Sequence, residues 1–223
     1  DVLRAFLKDG DLVVFEMINS DQQPVIDAYL AGEISNADLE DKLNWKDSGW
    51  PRWDYYGPLF FAAKAANANI LYGSYPRKML MKQAMLKIAR PKILKDDMMA
   101  ALDREMEMSH CGMLPPEMLR PMSNLQILKD ELMARQLLSR TDGAKAFLIA
   151  GNGHTRKDRG VPKHLAHKGQ MNMFVLGLIE ETAEPDEWEL FTTYDAIWVT
   201  EGLGLTHDDY CNRQKALMKK KFN

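Results

Sequence analysis

Short apolar runs rich in β-branched residues alternate along this chain with longer stretches of helical spacing. Val2 to Lys8 has the pattern of the end of an amphipathic helix, closed by Gly10. Leu12-Val13-Val14-Phe15 predicts a buried strand that ends in the charge of Glu16. Asp21 to Leu30 reads as a helix with Pro24 tolerated in its first turn. Ser35 starts another, with Asp38 placed as in a capping box. Trp45 to Tyr56 predicts an aromatic loop holding Trp45, Trp50, Trp53, Tyr55 and Tyr56, and a helix follows from Pro58 to Asn67. Asn69 to Tyr72 predicts a second buried strand, broken at Gly73.

From Lys78 to Arg140 the pattern is helical, interrupted around Cys111-Gly112 and Pro115-Pro116, which predicts two or three helices forming a lid or insertion. Lys145 to Ala150 predicts a third strand, followed by the turn Gly151-Asn152-Gly153-His154. Pro162 to His167 is a short helix, Met173 to Ile179 and Ala196 to Thr200 are strands, and the tail from Asp208 is helical. Strands separated by helices imply an α/β fold: a mainly parallel sheet flanked by helices, with a helical insertion at 78–140. Such sheets work at the carboxyl ends of their strands, and Glu16, Tyr75 and His154 all fall at predicted carboxyl ends.

Composition bounds this picture. A chain of 223 residues, 46% apolar and 27% charged, suits one globular domain able to bury its own core. A formal net charge of -3 implies no general affinity for nucleic acid, and Lys219 to Lys221 read as a frayed tail. No stretch approaches ~18 consecutive apolar residues, so no membrane span is expected. The chain opens at Asp1 without Met and without a signal peptide, already in a helical pattern, and reads as processed or trimmed. Two cysteines fit either two thiols or one bridge.

The strongest local signal is Gly151-Asn152-Gly153-His154. Two glycines after a strand allow close backbone approach and present an imidazole, with Arg156, Lys157 and Arg159 nearby. The turn reads as a metal ligand, a general base or a cationic cradle for carboxylates, or as a plain strand-to-helix turn. Glu16 has His154 or Arg77 as a prospective partner, and Arg77 suits bidentate capture of a carboxylate or an ordinary helix-start ion pair. The 15 methionines, many between Met79 and Met133, suit a broad flat ligand or helix-core filling. Gly-x-Ser-x-Gly, P-loop and His-Glu-x-x-His motifs are absent, which argues against standard serine hydrolases and nucleotide enzymes. His110 and Cys111 are adjacent, a poor geometry for a nucleophile and its base.

Several segments together resemble the ChaN-like family of the Tiki/TraB-type superfamily. They are Phe15-Glu16-Met17 with Gln22-Gln23-Pro24, Tyr29 to Glu33, Trp45, Tyr56-Gly57-Pro58-Leu59, and Pro76-Arg77. They continue with His110 to Pro115, then Gln126 with Asp130, Met133 and Ala134, then Gly151 to His154 through Pro162, and Tyr194 to Trp198. The set is collinear over nearly the whole chain. The resemblance implies a single haem-binding domain spanning 1–223 that acts as a carrier rather than an enzyme. It implies an exported, often lipid-anchored protein of the bacterial envelope, in the periplasm or at the outer membrane, tied to iron supply. Its partners would be haem, a second copy in a homodimer and an outer-membrane haem receptor.

The resemblance also implies a Cys111–Cys211 disulfide and haem held between protomers by a tyrosinate. It does not choose the tyrosine: Tyr75 stands beside Arg77, Tyr210 beside His207 and Cys211, and Tyr55 and Tyr56 lie in the aromatic loop. Of these, Tyr210 and Tyr75 lead. Arg77, His110, His154 and Arg156 are candidates for the propionates, with Glu16 in the same set. The family's opening strand with a Gly-Glu-x-His-type motif has no counterpart before Phe15. That departure weakens the alternative of a metal-dependent hydrolase using Glu16 and His154, and leaves the sheet one strand short. A third reading is an adaptor domain with a relic site.

Overall fold

The computed structural model describes residues 2–85, 93–181, 192–202, 204 and 206–221. In chain order the elements are α1 (Val2–Phe6), β1 (Leu12–Asn19), α2 (Gln23–Leu30), α3 (Leu39–Lys42), α4 (Trp53–Ala65), β2 (Asn69–Ser74) and α5 (Arg77–Met85). Then come α6 (Asp96–Ser109), α7 (Pro116–Leu138), β3 (Ala146–Ile149), α8 (Asn152–Thr155) and α9 (Val161–His167). The last three are β4 (Leu176–Glu180), β5 (Ala196–Thr200) and α10 (His207–Lys221). The fold class is α/β with parallel strands, as the sequence predicts. The chain forms two compact units, one of residues 1–87 with 127–151, the other of 88–126 with 152–223.

The first unit holds a parallel sheet of order β2-β1-β3. Central β1 is buried over almost its whole length, which is why its sequence is a continuous apolar run and not an alternating one. Its Phe15 stacks on Phe60 of α4 with ring centroids 4.0 Å apart, the centre of a core that includes Val13, Ile18, Ile26 and Ile70. The outer edge of β2 is closed by Gln23, whose amide nitrogen donates to the Ile70 carbonyl (2.9 Å) while its oxygen accepts from Tyr72 N–H (3.0 Å). The side-chain amide thus does what another strand would do.

Two strand boundaries differ from expectation for one reason. β1 continues past Glu16 to Asn19, and β2 runs through Gly73 to Ser74, with a register irregularity between Phe15 and Asn19. A Cβ on Gly73 would stand 2.7 Å from the Phe15 carbonyl, so glycine permits the close approach at this irregularity and does not end the strand. The predicted aromatic loop is mostly core. Trp45 is buried, with Trp53 and Tyr56 rings 5.0 and 5.2 Å away, and α4 starts at Trp53, before Pro58. The helix expected from Ser35 starts at Leu39, because the Ser35 hydroxyl bonds the Asp38 carboxylate in a local turn.

The second unit holds the parallel pair β4-β5 with helices α6, α8, α9 and α10 and the start of α7. Val175 N–H donates to the Asp195 carboxylate (2.8 Å) and Asp195 N–H to the Val175 carbonyl (2.9 Å), which sets the pair's register at its entry. The strand expected from Met173 therefore begins at Leu176. Helix α10 starts one residue before the predicted tail, where Thr206 Oγ1 accepts Asp209 N–H (3.2 Å) as a cap. Among the described residues no helix is long and apolar enough to cross a membrane.

His164 of α9 is 2% exposed, and its Nε2 finds no partner among the described residues. Burial, then the positive Lys168 and His167, push its imidazole down to about 4. The unfolded chain takes up this proton near 6.5 and the folded chain only near 4, so between those values the unfolded state binds more protons. Stability is then full above 6.5 and falls as pH drops toward 4, by up to about 3 kcal/mol. Urea unfolding at pH 7 and pH 4.5 measures this, and His164→Gln flattens the difference.

Candidate functional site

The first unit carries Glu16, Tyr75 and Arg77. Glu16 is 4% exposed; its Oε1 takes the Lys129 ammonium from α7, and its Oε2 accepts Gly151 N–H at 2.8 Å. It lies inside β1 and not at its tip. A buried carboxylate is tolerable only with such partners. Tyr75 follows β2, half-buried with its ring 6.1 Å from Tyr72, and Arg77 opens α5 on the surface.

The second unit carries His110, His154, Arg156 and Tyr210. His154 lies in the helical turn α8 and is 7% exposed, so it is not the surface imidazole that a plain turn would present. A Cβ on Gly153 would meet only the movable carboxylate tip of Glu105, at 2.9 Å, whereas a Cβ on Gly160 would meet the His154 carbonyl at 2.3 Å. Gly160 thus permits the close approach of the following loop to the backbone of α8. Arg156 grips Asp158 with two N–H groups (2.9 and 3.0 Å), and Arg159 bridges Asp158 (3.0 Å) and Glu105. His110 caps α6, its Nδ1–H donating to the Met106 carbonyl at 2.8 Å. Tyr210, on the first turn of α10, is 44% exposed.

Cys111 and Cys211 form a disulfide with Cα atoms 5.4 Å apart. It joins the end of α6 to the first turn of α10. Between the two lies an open cleft of about 510 Å³ lined by Ala101, Arg104, Glu105, Met108, Ser109, Arg159 and His207. Arg159 is 9% exposed and fixed by two carboxylates, whereas Met108 is 61% exposed. Arg104 makes no ion pair among the described residues. His207 approaches Cys211 Sγ at 3.4 Å. Sequence reasoning did not assign Arg104, Glu105 or His207 to a site, and named Arg159 only as a cation near His154. The available signal was spacing: Ala101, Arg104, Glu105 and Met108 share one helical face.

Parallel strands alternating with helices, with an open cleft in the second unit, describe an α/β protein. The chain belongs to the family described as haem-binding uptake, Tiki superfamily, ChaN, whose model matches residues 1–165. Among solved structures it is similar to one described as cofacial heme binding to ChaN of Campylobacter jejuni. The two are 22% identical with a TM-score of 0.67, over 84% of this chain and 72% of that one, a likeness of fold. None of the curated proteins matches this chain. His207, Tyr210 and Cys211 lie beyond the residues matched by the family model.

Two outcomes follow from these contacts. Lys129→Ala removes the ammonium bound at Glu16 Oε1 and costs about 3–5 kcal/mol in urea unfolding, while Glu16→Gln with Lys129→Met recovers part of the loss. A loss under about 1 kcal/mol for the single variant removes the ion pair as the reason Glu16 tolerates burial. Replacing both cysteines by serine opens a loop spanning a sequence separation of 100, worth about 4–5 kcal/mol in the chain-entropy model. Wild-type protein in dithiothreitol then unfolds at the same urea concentration as the double variant.

Proposed function

We propose that this chain binds haem and serves haem or iron uptake at the bacterial cell envelope, as a binding protein without turnover. Family membership supports the ligand. The observation that carries the placement is an exposed phenol, Tyr210, one turn along α10 from His207, which lines a cleft with Arg104, Arg159 and Met108. These residues fit haem: a hard oxygen donor, a thioether wall, and cations beside it. When bound, ferric haem supplies a Lewis-acidic iron that accepts a phenolate. Tyr210 is the residue that would give it, and Met108 covers apolar surface. Tyr75 is the second candidate, though more of its ring is taken up by its neighbours.

The Campylobacter jejuni neighbour is described as binding heme cofacially. By extension we place haem of this chain between two copies of it, with delivery from an outer-membrane haem receptor and a lipid anchor on the precursor. We read the two compact units as parts of one domain, with the helical insertion at 78–140, because the family match runs across both. The metal-dependent hydrolase is not favoured. Glu16 is committed to Lys129 and Gly151, and among the described residues no group of three or more His, Cys, Asp or Glu could hold a metal.

Haemin titration with visible spectra tests the reading. Wild type gives a saturable Soret shift with a stoichiometry fixed per protomer, and size exclusion shows dimer on loading. Tyr210→Phe weakens binding roughly 10–100-fold, the scale of disturbing a metal's ligation, while Tyr75→Phe does not. A non-saturating shift, unchanged in both variants, overturns it.

A further inference from the structure

We propose that Arg104 and His207 are the jaws of a carboxylate clamp in the cleft of the second unit, built to hold the propionates of a porphyrin; this rests on the haem reading above. Nothing in the family match reaches His207, so the argument is one of charge and placement.

Of the lining cations Arg159 is already engaged: it pairs with Asp158 and Glu105, and Asp158 is shared with Arg156. The Arg159 Nε is the part of this cluster left without a hydrogen-bond partner among the described residues. Arg104 and His207 stand outside it. Arg104, exposed on α6, has no carboxylate partner among the described residues, and the His207 ring approaches a sulfur, Cys211 Sγ, rather than a carboxylate. A guanidinium fork and an imidazole lining one cleft suit a carboxylate, which accepts charge-assisted hydrogen bonds from both. Met108 and Ala101 of the same lining offer apolar contact for the body of the ligand. The class so defined is a flat apolar molecule bearing carboxylates.

The two jaws come from different helices, and a covalent link sets their spacing. Cys111 follows α6 directly, and Cys211 lies one turn after His207. The disulfide is therefore the positioning element of the clamp.

Metal-free protoporphyrin IX separates the clamp from iron ligation, because it keeps the propionates and has no iron to bind. Its fluorescence is titrated against oxidised wild type, Arg104→Gln and His207→Gln, alongside its dimethyl ester. The expected result is that wild type binds the free acid roughly tenfold or more tightly than the ester, and that each variant loses that preference. Circular dichroism and thiol titration confirm that each variant is folded and bridged. Equal binding of acid and ester by wild type overturns the clamp, as does an undiminished preference in both variants or no binding of the free acid. Failure of the haem reading is seen elsewhere, as a haemin titration without a saturable Soret shift, and a retained acid preference then keeps the clamp.

Discussion

The first unit depends on two buried carboxylates, one just before its central strand and one within it. Asp11, the residue before β1, accepts Lys145 N–H at 2.8 Å, and Glu16, inside β1, accepts Gly151 N–H at 2.8 Å. These donors flank β3, Lys145 directly before it and Gly151 two residues after it. A parallel neighbour cannot be registered by a tight hairpin, and a one-residue slip would turn every side chain to the wrong face. The carboxylates pin both ends of β3 to a strand more than a hundred residues earlier in the chain. Each would be costly to bury alone. Asp11 is offset by Lys8 N–H and Lys145 N–H, Glu16 by the Lys129 ammonium. The charge at Glu16 thus has a structural use before any functional one.

The second unit solves a different problem. A two-stranded sheet is marginal by itself. Here a compensated ion cluster, the Asp195 entry lock and the disulfide share the task. Lys157 pairs with Asp195 at 2.6 Å, so even the strand entry is tied to the loop that carries Arg156 and Arg159. Glycine at 160 lets the His154 carbonyl come close, which a Cβ would prevent.

The strands were legible in the sequence because each is a short apolar run; burial explains the run in β1, whereas β3 is half-buried and β4 and β5 are partly exposed. Gly73 misled because a glycine reads as a breaker, whereas here it admits the neighbouring backbone. Trp53 and Tyr56 read as loop because Pro58 reads as the helix start, although Trp53, Tyr56 and Phe60 are spaced as one helical face, and the packing on Trp45 is tertiary. The cysteine pairing entered through family resemblance and not through spacing. The cleft was not legible at all. It depends on which face of α6 meets the first turn of α10, and a bridge across a sequence separation of 100 decides that.

Burial sorts the chemistry-bearing residues more sharply than residue type does. Glu16 lies inside the central strand, and His154 and Arg159 lie in and after the glycine turn that follows β3, yet all three are enclosed. For Glu16 and Arg159 the partners are explicit, and they are intramolecular. A ligand entering there would have to displace an ion pair that already offsets the cost of burying both charges. Tyr210, Met108 and Arg104 have no such debt, since water covers them and a ligand displaces only water. On the reading proposed above, the place for a large amphipathic ligand is set less by the motif at Gly151–His154 than by the helix ends that the disulfide brings together.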